Sequence, residues 1–207
     1  MAITYPISLP SAFAAARITL RQCNTVGESV SPFSAEQQIY VHQGQWWEAE
    51  ITLPRMSRDN AEDVGAALLS LRGKEGSFLM GDPSAATPRG SAGGTPLVDG
   101  AGQTGLTLAV KGLPLSTANW LKAGDYIQLG SGSTSRLHKV LAAVTSSGAG
   151  KATLDIWPRL RSSPADGAAV VVSGAKGLWM LSSNKLEWDI EPAMIYGFSI
   201  ACRERLG

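Results

Sequence analysis

The sequence predicts a mainly β protein: a β-sandwich-like sheet domain with one packed α-helix and an inserted small β-barrel. Three observations lead to this prediction. The chain of 207 residues contains 23 glycines and 11 prolines, a turn-rich composition that suits many short strands. Most of its apolar residues alternate with polar ones, which is the period of a strand. A single stretch has clear helical spacing, so one helix is expected to pack across a sheet.

The strand and helix that organise the chain lie within residues 43–79. Alternation places one set of side chains on a buried face, namely Trp47, Ala49, Ile51 and Leu53, and the set Trp46, Glu48, Glu50 and Thr52 on the opposite face. Pro54 ends the strand because it lacks an amide donor. A helix over about residues 59–72 follows, capped by Ser57 or Asp59 and stopped by Gly73. Its core positions are predicted at Ala61, Val64, Leu68 and Leu71.

The residues before this unit predict an arm and a hairpin. Residues 1–12 contain Pro6 and Pro10 and have no periodic pattern, so we expect an extended arm that something else must tie down. Strands are predicted over residues 17–21 and 38–42, with a loop at 24–34. Gln43 and Gly44 then predict a tight turn into the strand that contains Trp46 and Trp47.

The sequence also predicts a discontinuous domain organisation. Residues 1–80 and 175–207 form the sheet domain, in which strands at 178–181, 186–190 and 196–202 complete the sheet and Trp188 and Phe198 join its core. Residues 81–105 are a Gly/Pro-rich linker, and residues 106–174 hold about five short strands of an inserted small barrel.

Composition disfavours several function classes. The formal net charge is +1 with 17% charged residues, and no two Lys or Arg residues are adjacent, whereas a nucleic-acid reader usually carries a basic stripe. No apolar run approaches the roughly 20 residues of a membrane span, and the amino terminus lacks the charged region of a signal peptide. We therefore expect a soluble chain. Cys23 and Cys202 have no metal or redox spacing, and we expect two free thiols.

The chemistry-bearing residues do not combine into a site. Gly100, Gly102 and Gly105 spell G-x-G-x-x-G, but a loop precedes them and a strand follows, so a linker is predicted rather than a dinucleotide site. His42 and His138 lie in separate strands without a second metal ligand. Glu48 and Glu50 have the spacing of a glycosidase pair, but solvated carboxylates on an outer face are expected instead. The sequence therefore predicts no enzyme, no catalytic residues, no cofactor and no metal.

The aromatic residues suggest an interface instead. Trp46 shares its face with charged neighbours, and an exposed tryptophan in such a place is either a subunit-contact anchor or a sugar-stacking platform. Because the amino-terminal arm also needs a partner, a subunit contact is favoured. The predicted interface consists of Trp46, Glu48, Glu50, Tyr5 and Pro6.

Two phrases and their order resemble the distal tail proteins of long non-contractile-tailed bacteriophages. The phrases are GQWWEAEITLP, which starts at Gly44, and NAEDVGAALLSLRGKEGSFLMGDP, which ends at Pro83; an arm precedes them and a β module follows. The resemblance implies a homohexameric ring at the end of the tail tube, assembled in the host cytoplasm. It further implies contacts with the tail tube protein, the baseplate hub and receptor-binding or fibre proteins. Genome DNA would pass through the lumen without specific binding, and the inserted module would be OB-like.

Two other functions stay open at this point. A carbohydrate-binding module for host-surface glycans would stack a sugar on Trp120 or Trp157. A different ring-forming component, such as a tube or tail-completion protein, would share the sheet and the ring-forming logic.

Overall fold

The computed structural model of the chain describes residues 3–191 and 195–206. It is mainly β, with 43% strand and 10% helix, one α-helix and a nearly closed six-stranded barrel-like sheet, which confirms the predicted fold class. The strands belong to two sheets.

The first sheet has seven antiparallel strands, in the order β1-β2-β13-β11-β4, with β3 and β12 also paired to β13. Their bounds are Arg17–Val30 (β1), Gln37–Thr52 (β2), Met56–Ser57 (β3), Phe78–Met80 (β4), Gly177–Leu181 (β11), Trp188–Glu191 (β12) and Ile195–Glu204 (β13). The chain leaves this sheet after β4 and returns at β11. Met80 lies directly opposite Gly177, so the two points are hydrogen-bonded neighbours.

The second sheet lies between these two points in the sequence and curls into the barrel. Its antiparallel order is β10-β7-β8-β9-β6-β5. The strands are Leu97–Val98 (β5), Gly105–Lys111 (β6), Tyr126–Leu129 (β7), Arg136–Val140 (β8), Ala152–Leu160 (β9) and Val170–Val171 (β10). An isolated bridge between Leu97 and Ala169, with a 2.9 Å hydrogen bond from the Val98 amide to the Ala168 carbonyl, brings the two outer strands together.

The helix forms where its periodicity predicts. Helix α1 runs over Arg58–Ser70 and buries Ala61, Val64 and Leu68. Ser57 is its N-cap residue, although its side chain makes no capping hydrogen bond, and Gly73 follows the helix with a φ of +68°. These helix residues share one core with the buried face of β2, as predicted. The same core contains Leu53, directly after β2, and Phe198 on β13. Trp47, Ile51, Leu53 and Phe198 are 0 to 5% exposed.

Trp188 departs from the core prediction. It is 41% exposed and stacks on Phe198 with ring centroids 6.3 Å apart. Alternation in the sequence detects that the two residues share a face, but β12 has β13 as its partner strand in the described part of the sheet. Trp188 therefore covers the margin of the core instead of filling it.

The predicted turn at Gln43 and Gly44 is wrong. Both residues lie inside β2, and β1 extends to Val30 through the region predicted as a loop, so the turn falls at residues 31–36. A glycine at position 44 is needed for a different physical reason, because a Cβ there would lie 2.4 Å from the Thr25 hydroxyl oxygen. It permits close approach of the two strands beside the irregularity between Asn24 and Val26.

The predicted linker at 81–105 is ordered against the barrel. It contains a 3-10 turn at Pro83–Ala85 and strand β5, and the Trp120 indole donates a 2.8 Å hydrogen bond to the Gly93 carbonyl. A Cβ at Gly90 would lie 2.3 Å from the Trp120 carbonyl oxygen, so this glycine allows close backbone contact. Gly81, Gly90 and Gly94 thus permit close packing, whereas glycine in this segment was predicted to give flexibility. The domain boundaries themselves stay a prediction.

Asp125 fixes this segment to the barrel. Its carboxylate, 2% exposed, accepts hydrogen bonds from the amides of Arg89 (2.8 Å), Gly90 (3.1 Å) and Lys122 (2.8 Å). We expect Asp125→Asn to lower the free energy of unfolding by about 2 kcal/mol, because an amide group cannot accept all three bonds. Urea unfolding would measure this, with the exposed Asp155→Asn as control; equal losses in the two variants would contradict the assignment.

The barrel sits against the base of the β1–β2 hairpin. The Trp47 and Trp157 rings meet edge to face with centroids 4.4 Å apart, and the Trp47 indole donates to the Leu137 carbonyl at 3.0 Å. The Trp157 indole donates to the Asn24 side chain at 3.0 Å. Both indole N–H groups are satisfied across the junction, so the contact fixes the orientation of the barrel as well as burying apolar surface.

Candidate functional site

The predicted interface residues of β2 lie together on the outer face of the first sheet. Trp46 is half-buried, and its indole donates a 3.0 Å hydrogen bond to the Glu48 carboxylate. Glu50 forms an exposed ion pair with Arg21 at 2.6 Å. The side chains of β2 thus lie on the two faces that the alternation predicts. That Trp46, Glu48 and Glu50 contact a neighbouring subunit stays a prediction.

The amino-terminal arm is tied down within its own chain. The Tyr5 hydroxyl donates to the Ser70 carbonyl at 2.9 Å, and the Ile7 amide donates to the Ser77 carbonyl at 2.8 Å. Tyr5 packs against the core that the helix shares with the first sheet, and Pro6 is half-buried. The expectation that a neighbour must hold this arm loses its basis, because the arm already contributes to the fold.

The β1–β2 hairpin is the feature that the sequence analysis missed. β13 pairs with β2 over residues 48–52, and beyond Glu48 the hairpin continues as a two-stranded ribbon. Residues 26–30 pair with residues 37–41, and the tip bears Phe33, which is 98% exposed. Two-stranded ribbons are marginally stable in water without a further surface to pack on.

One face of the ribbon is largely apolar, with Glu28 and Gln37 as its polar members. Directly opposite residues share a face, which places Val26 beside Val41, Glu28 beside Ile39 and Val30 beside Gln37. We call the four apolar residues Val26, Val30, Ile39 and Val41 the hairpin stripe. They are 50 to 77% exposed. The other face carries Ser29, Gln38 and Tyr40, the last 49% exposed, so the aliphatic side chains are concentrated on the first face.

The outer edge of β1 adds to this surface. In the described sheet β1 is the end strand and pairs with β2 on one side. Its other edge presents backbone N–H and C=O groups over a long strand, and such an edge is a template for another chain. The ribbon therefore offers both an apolar face and hydrogen-bonding edges to a partner.

The chemistry-bearing residues stay apart in the fold. His42 is exposed on the hairpin, whereas His138 is buried in the barrel with Nδ1 2.7 Å from the Pro158 carbonyl. Within residues 3–191 and 195–206, no group of three or more His, Cys, Asp or Glu side chains is placed to hold a metal. Gly100, Gly102 and Gly105 have φ values of +78 to +91° in the segment that leads into β6, whose first residue is Gly105. They serve turn geometry at the start of a strand.

The cysteines are free. Cys202 is buried in the first core, and burial raises the pKa of its thiol to about 12. Cys23 lies opposite Trp46, on the outer face of the sheet, and burial followed by the Glu48 charge raises its thiol pKa as well. Raised pKa values keep both thiols protonated and poorly nucleophilic at neutral pH.

The barrel tryptophans are not sugar-stacking platforms. Trp120 is fully buried and Trp157 is 6% exposed, and each indole N–H is bonded inside the protein. A stacking platform needs an exposed ring face. The expectation of a sugar on Trp120 or Trp157 is therefore wrong.

Comparisons with known proteins add no relative. A scan against protein-family models and a search of curated proteins both find no match to the chain. Across the described residues, no helix has the length and apolar character needed to span a membrane.

Proposed function

We propose that the chain is the structural subunit of a hexameric ring at the distal end of a phage tail tube. In this role it joins the tail tube protein on one side to the baseplate hub and receptor-binding proteins on the other, in the virion, with genome DNA passing through the lumen. The resemblance of residues 44–83 to distal tail proteins supports the proposal. The observation that carries it is the hairpin stripe.

The stripe gives a physical reason for assembly. Its four side chains are at least half exposed on a ribbon that neither sheet of the same chain covers. Burying such a face on a second copy removes apolar surface from water and supplies the support that an isolated ribbon lacks. The ribbon extends beyond the pairing with β13, so it reaches away from its own core, as a contact to a neighbour requires.

Ring closure follows from the type of contact. A projecting hairpin that packs on a different surface of the next copy makes a heterologous, head-to-tail interface, and such interfaces close into rings when the rotation permits. The net charge of +1 lets identical subunits approach without strong repulsion. Six copies of 21.7 kDa make an assembly of about 130 kDa.

Light scattering after size exclusion tests the proposal. The wild-type chain is expected to elute as the ring, and Val41→Glu to elute as a folded monomer, because the change replaces an apolar contact of the stripe with a second carboxylate on the face that already carries Glu28. Val41 is 77% exposed in the subunit, so the change leaves the core intact. The control is Ser29→Glu, which adds the same charge on the polar face of the same ribbon and is expected to assemble.

Two results would contradict the proposal. One is a wild-type chain that stays monomeric at high concentration and forms no rings in electron micrographs. The other is a Val41→Glu variant that assembles as fully as Ser29→Glu.

A further inference from the structure

The barrel contains a cavity of about 210 Å³ that the ring function does not use. It lies between the turn that joins β7 to β8 and the segment that follows β9. The apolar part of the lining is Leu129, Leu160, Pro164, Ala165 and Ala168, and the polar part is Thr134, Arg136, His138, Arg161 and Ser162. The cavity shares no residue with the hairpin stripe.

The lining carries an excess of positive charge. It contains two guanidinium groups and no carboxylate. Arg161 is compensated from outside the cavity, because it donates to the buried Glu204 carboxylate at 3.3 Å. Arg136 donates to the Ser135 carbonyl at 3.0 Å and has no carboxylate within ion-pair distance in the described part of the chain. The buried Glu204 carboxylate, whose pKa is raised by burial and lowered by both guanidinium groups, balances one of the two positive charges, so one net positive charge remains for an anion.

The two guanidinium groups affect each other electrostatically. Burial lowers the pKa of Arg161, Glu204 opposes this shift, and the nearby Arg136 charge lowers the pKa further. Two like charges at one partly enclosed cavity repel; Glu204 relieves part of this repulsion, and a bound anion relieves the remainder. The arrangement is typical of carboxylate recognition by arginine.

His138 adds a hydrogen-bond acceptor. Its Nδ1 lies 2.7 Å from the Pro158 carbonyl oxygen, which only accepts, so the proton is on Nδ1. In the neutral ring Nε2 is then an acceptor. Burial lowers the pKa of His138 to about 4, so the ring is neutral at physiological pH. Cationic donors, hydroxyl groups and a neutral acceptor thus stand beside an apolar wall.

We propose that this cavity binds a hydroxylated ring carboxylate of the hexuronic acid kind. The carboxylate pairs with Arg136, a ring hydroxyl donates to His138, and the apolar face of the ring packs on Leu129, Leu160 and Pro164. A cavity of about 150 Å³ holds benzene, so this partly open cavity of about 210 Å³ receives the carboxylate and one face of a hexuronate ring and leaves the other hydroxyl groups in solvent.

Calorimetric titration of the full chain with D-glucuronate at neutral pH and low salt tests the proposal, with D-glucose as the neutral comparison. The wild-type chain is expected to bind glucuronate saturably and to give no signal with glucose. Arg136→Gln is expected to weaken glucuronate binding by about tenfold or more, through loss of a charge-assisted hydrogen bond. Lys122→Gln, which removes an exposed charge of the same barrel away from the cavity, is expected to bind as the wild type does.

A second variant tests the location without changing charge. Ala165→Phe places a ring at the exposed rim of the cavity and is expected to abolish binding, with circular dichroism showing a folded protein. The proposal is overturned if glucuronate does not bind the wild-type chain, if glucose binds equally well, or if Arg136→Gln and Ala165→Phe bind as tightly as the wild type. None of these results depends on the ring, since subunit assembly is measured separately.

Discussion

Trp47→Ala is expected to lower the free energy of unfolding by about 4 kcal/mol, the range for a large buried aromatic residue. Trp47 is 5% exposed and belongs to the first core, while its ring also meets Trp157 of the barrel. The change opens a cavity at the junction and removes the hydrogen bond that the Leu137 carbonyl accepts. Both effects act at the place where the sheet and the barrel touch.

Urea unfolding followed by far-UV circular dichroism measures this loss, since the change removes a fluorophore. Trp46→Ala is the matched control: the neighbouring residue has the same size, but it is half-buried on the outer face and bonded to Glu48. A loss of about 1 kcal/mol is expected there. Similar losses for both variants would show that the two faces of β2 are not energetically distinct.

Acid is expected to destabilise the fold through His138, by about 3 kcal/mol in total between pH 6.5 and pH 4. Burial lowers the pKa of this ring from 6.5 to about 4; the Pro158 hydrogen bond opposes the shift, and the Arg161 and Arg136 charges reinforce it. The unfolded chain therefore binds the proton at a higher pH than the folded chain does. Stability is full above about pH 6.5 and falls as the pH drops toward 4.

The comparison of two variants isolates this effect. His42→Gln removes the other of the two histidines, which is exposed, and should keep the wild-type loss of stability on acidification. His138→Gln is expected to be less stable at pH 7 but to lose less stability between pH 7 and pH 5. A wild-type chain and a His138→Gln variant with parallel stability profiles would contradict the assignment. Glu204 does not mimic the effect, because burial raises its pKa and acidification relieves that cost.

Burial is predictable from the sequence where a periodic pattern meets a single core. Ile51 on β2, Leu53 directly after it, and Val64 and Leu68 on α1 are buried as their spacing indicates. In these positions one face of a regular element decides burial, and local alternation contains that information. The prediction that Trp188 is buried was wrong, because alternation identifies a face of the sheet but not whether another layer covers that face.

The hairpin could not be located by the same means. Gly44 and the glycine and serines of residues 24–34 are typical turn signals, yet most of these residues lie in long paired strands. Close strand approach at Thr25 requires the glycine, and this contact depends on a register that the sequence does not reveal. The candidate interface was therefore assigned to the outer face of β2 and to the arm, while the ribbon that bears the hairpin stripe was interpreted in part as a loop.

The barrel cavity was equally inaccessible to sequence reasoning. Arg136 lies on β8 and Arg161 follows β9, and they line one cavity because the sheet curls into a barrel. Their separation in the sequence matches no motif. Residues that meet through sheet closure carry no local signal of their proximity.

The pairing of β4 with β11 makes the barrel responsible for part of the first sheet. Residues 81–176 connect β4 to β11. If this segment were a flexible loop, the entropy lost on closing it would oppose the pairing of the two strands. Once the barrel has folded, its two ends are held close together and most of that entropy has already been lost. The folded barrel therefore lowers the entropic cost of pairing β4 with β11, so a change that unfolds the barrel is expected to weaken this pairing as well.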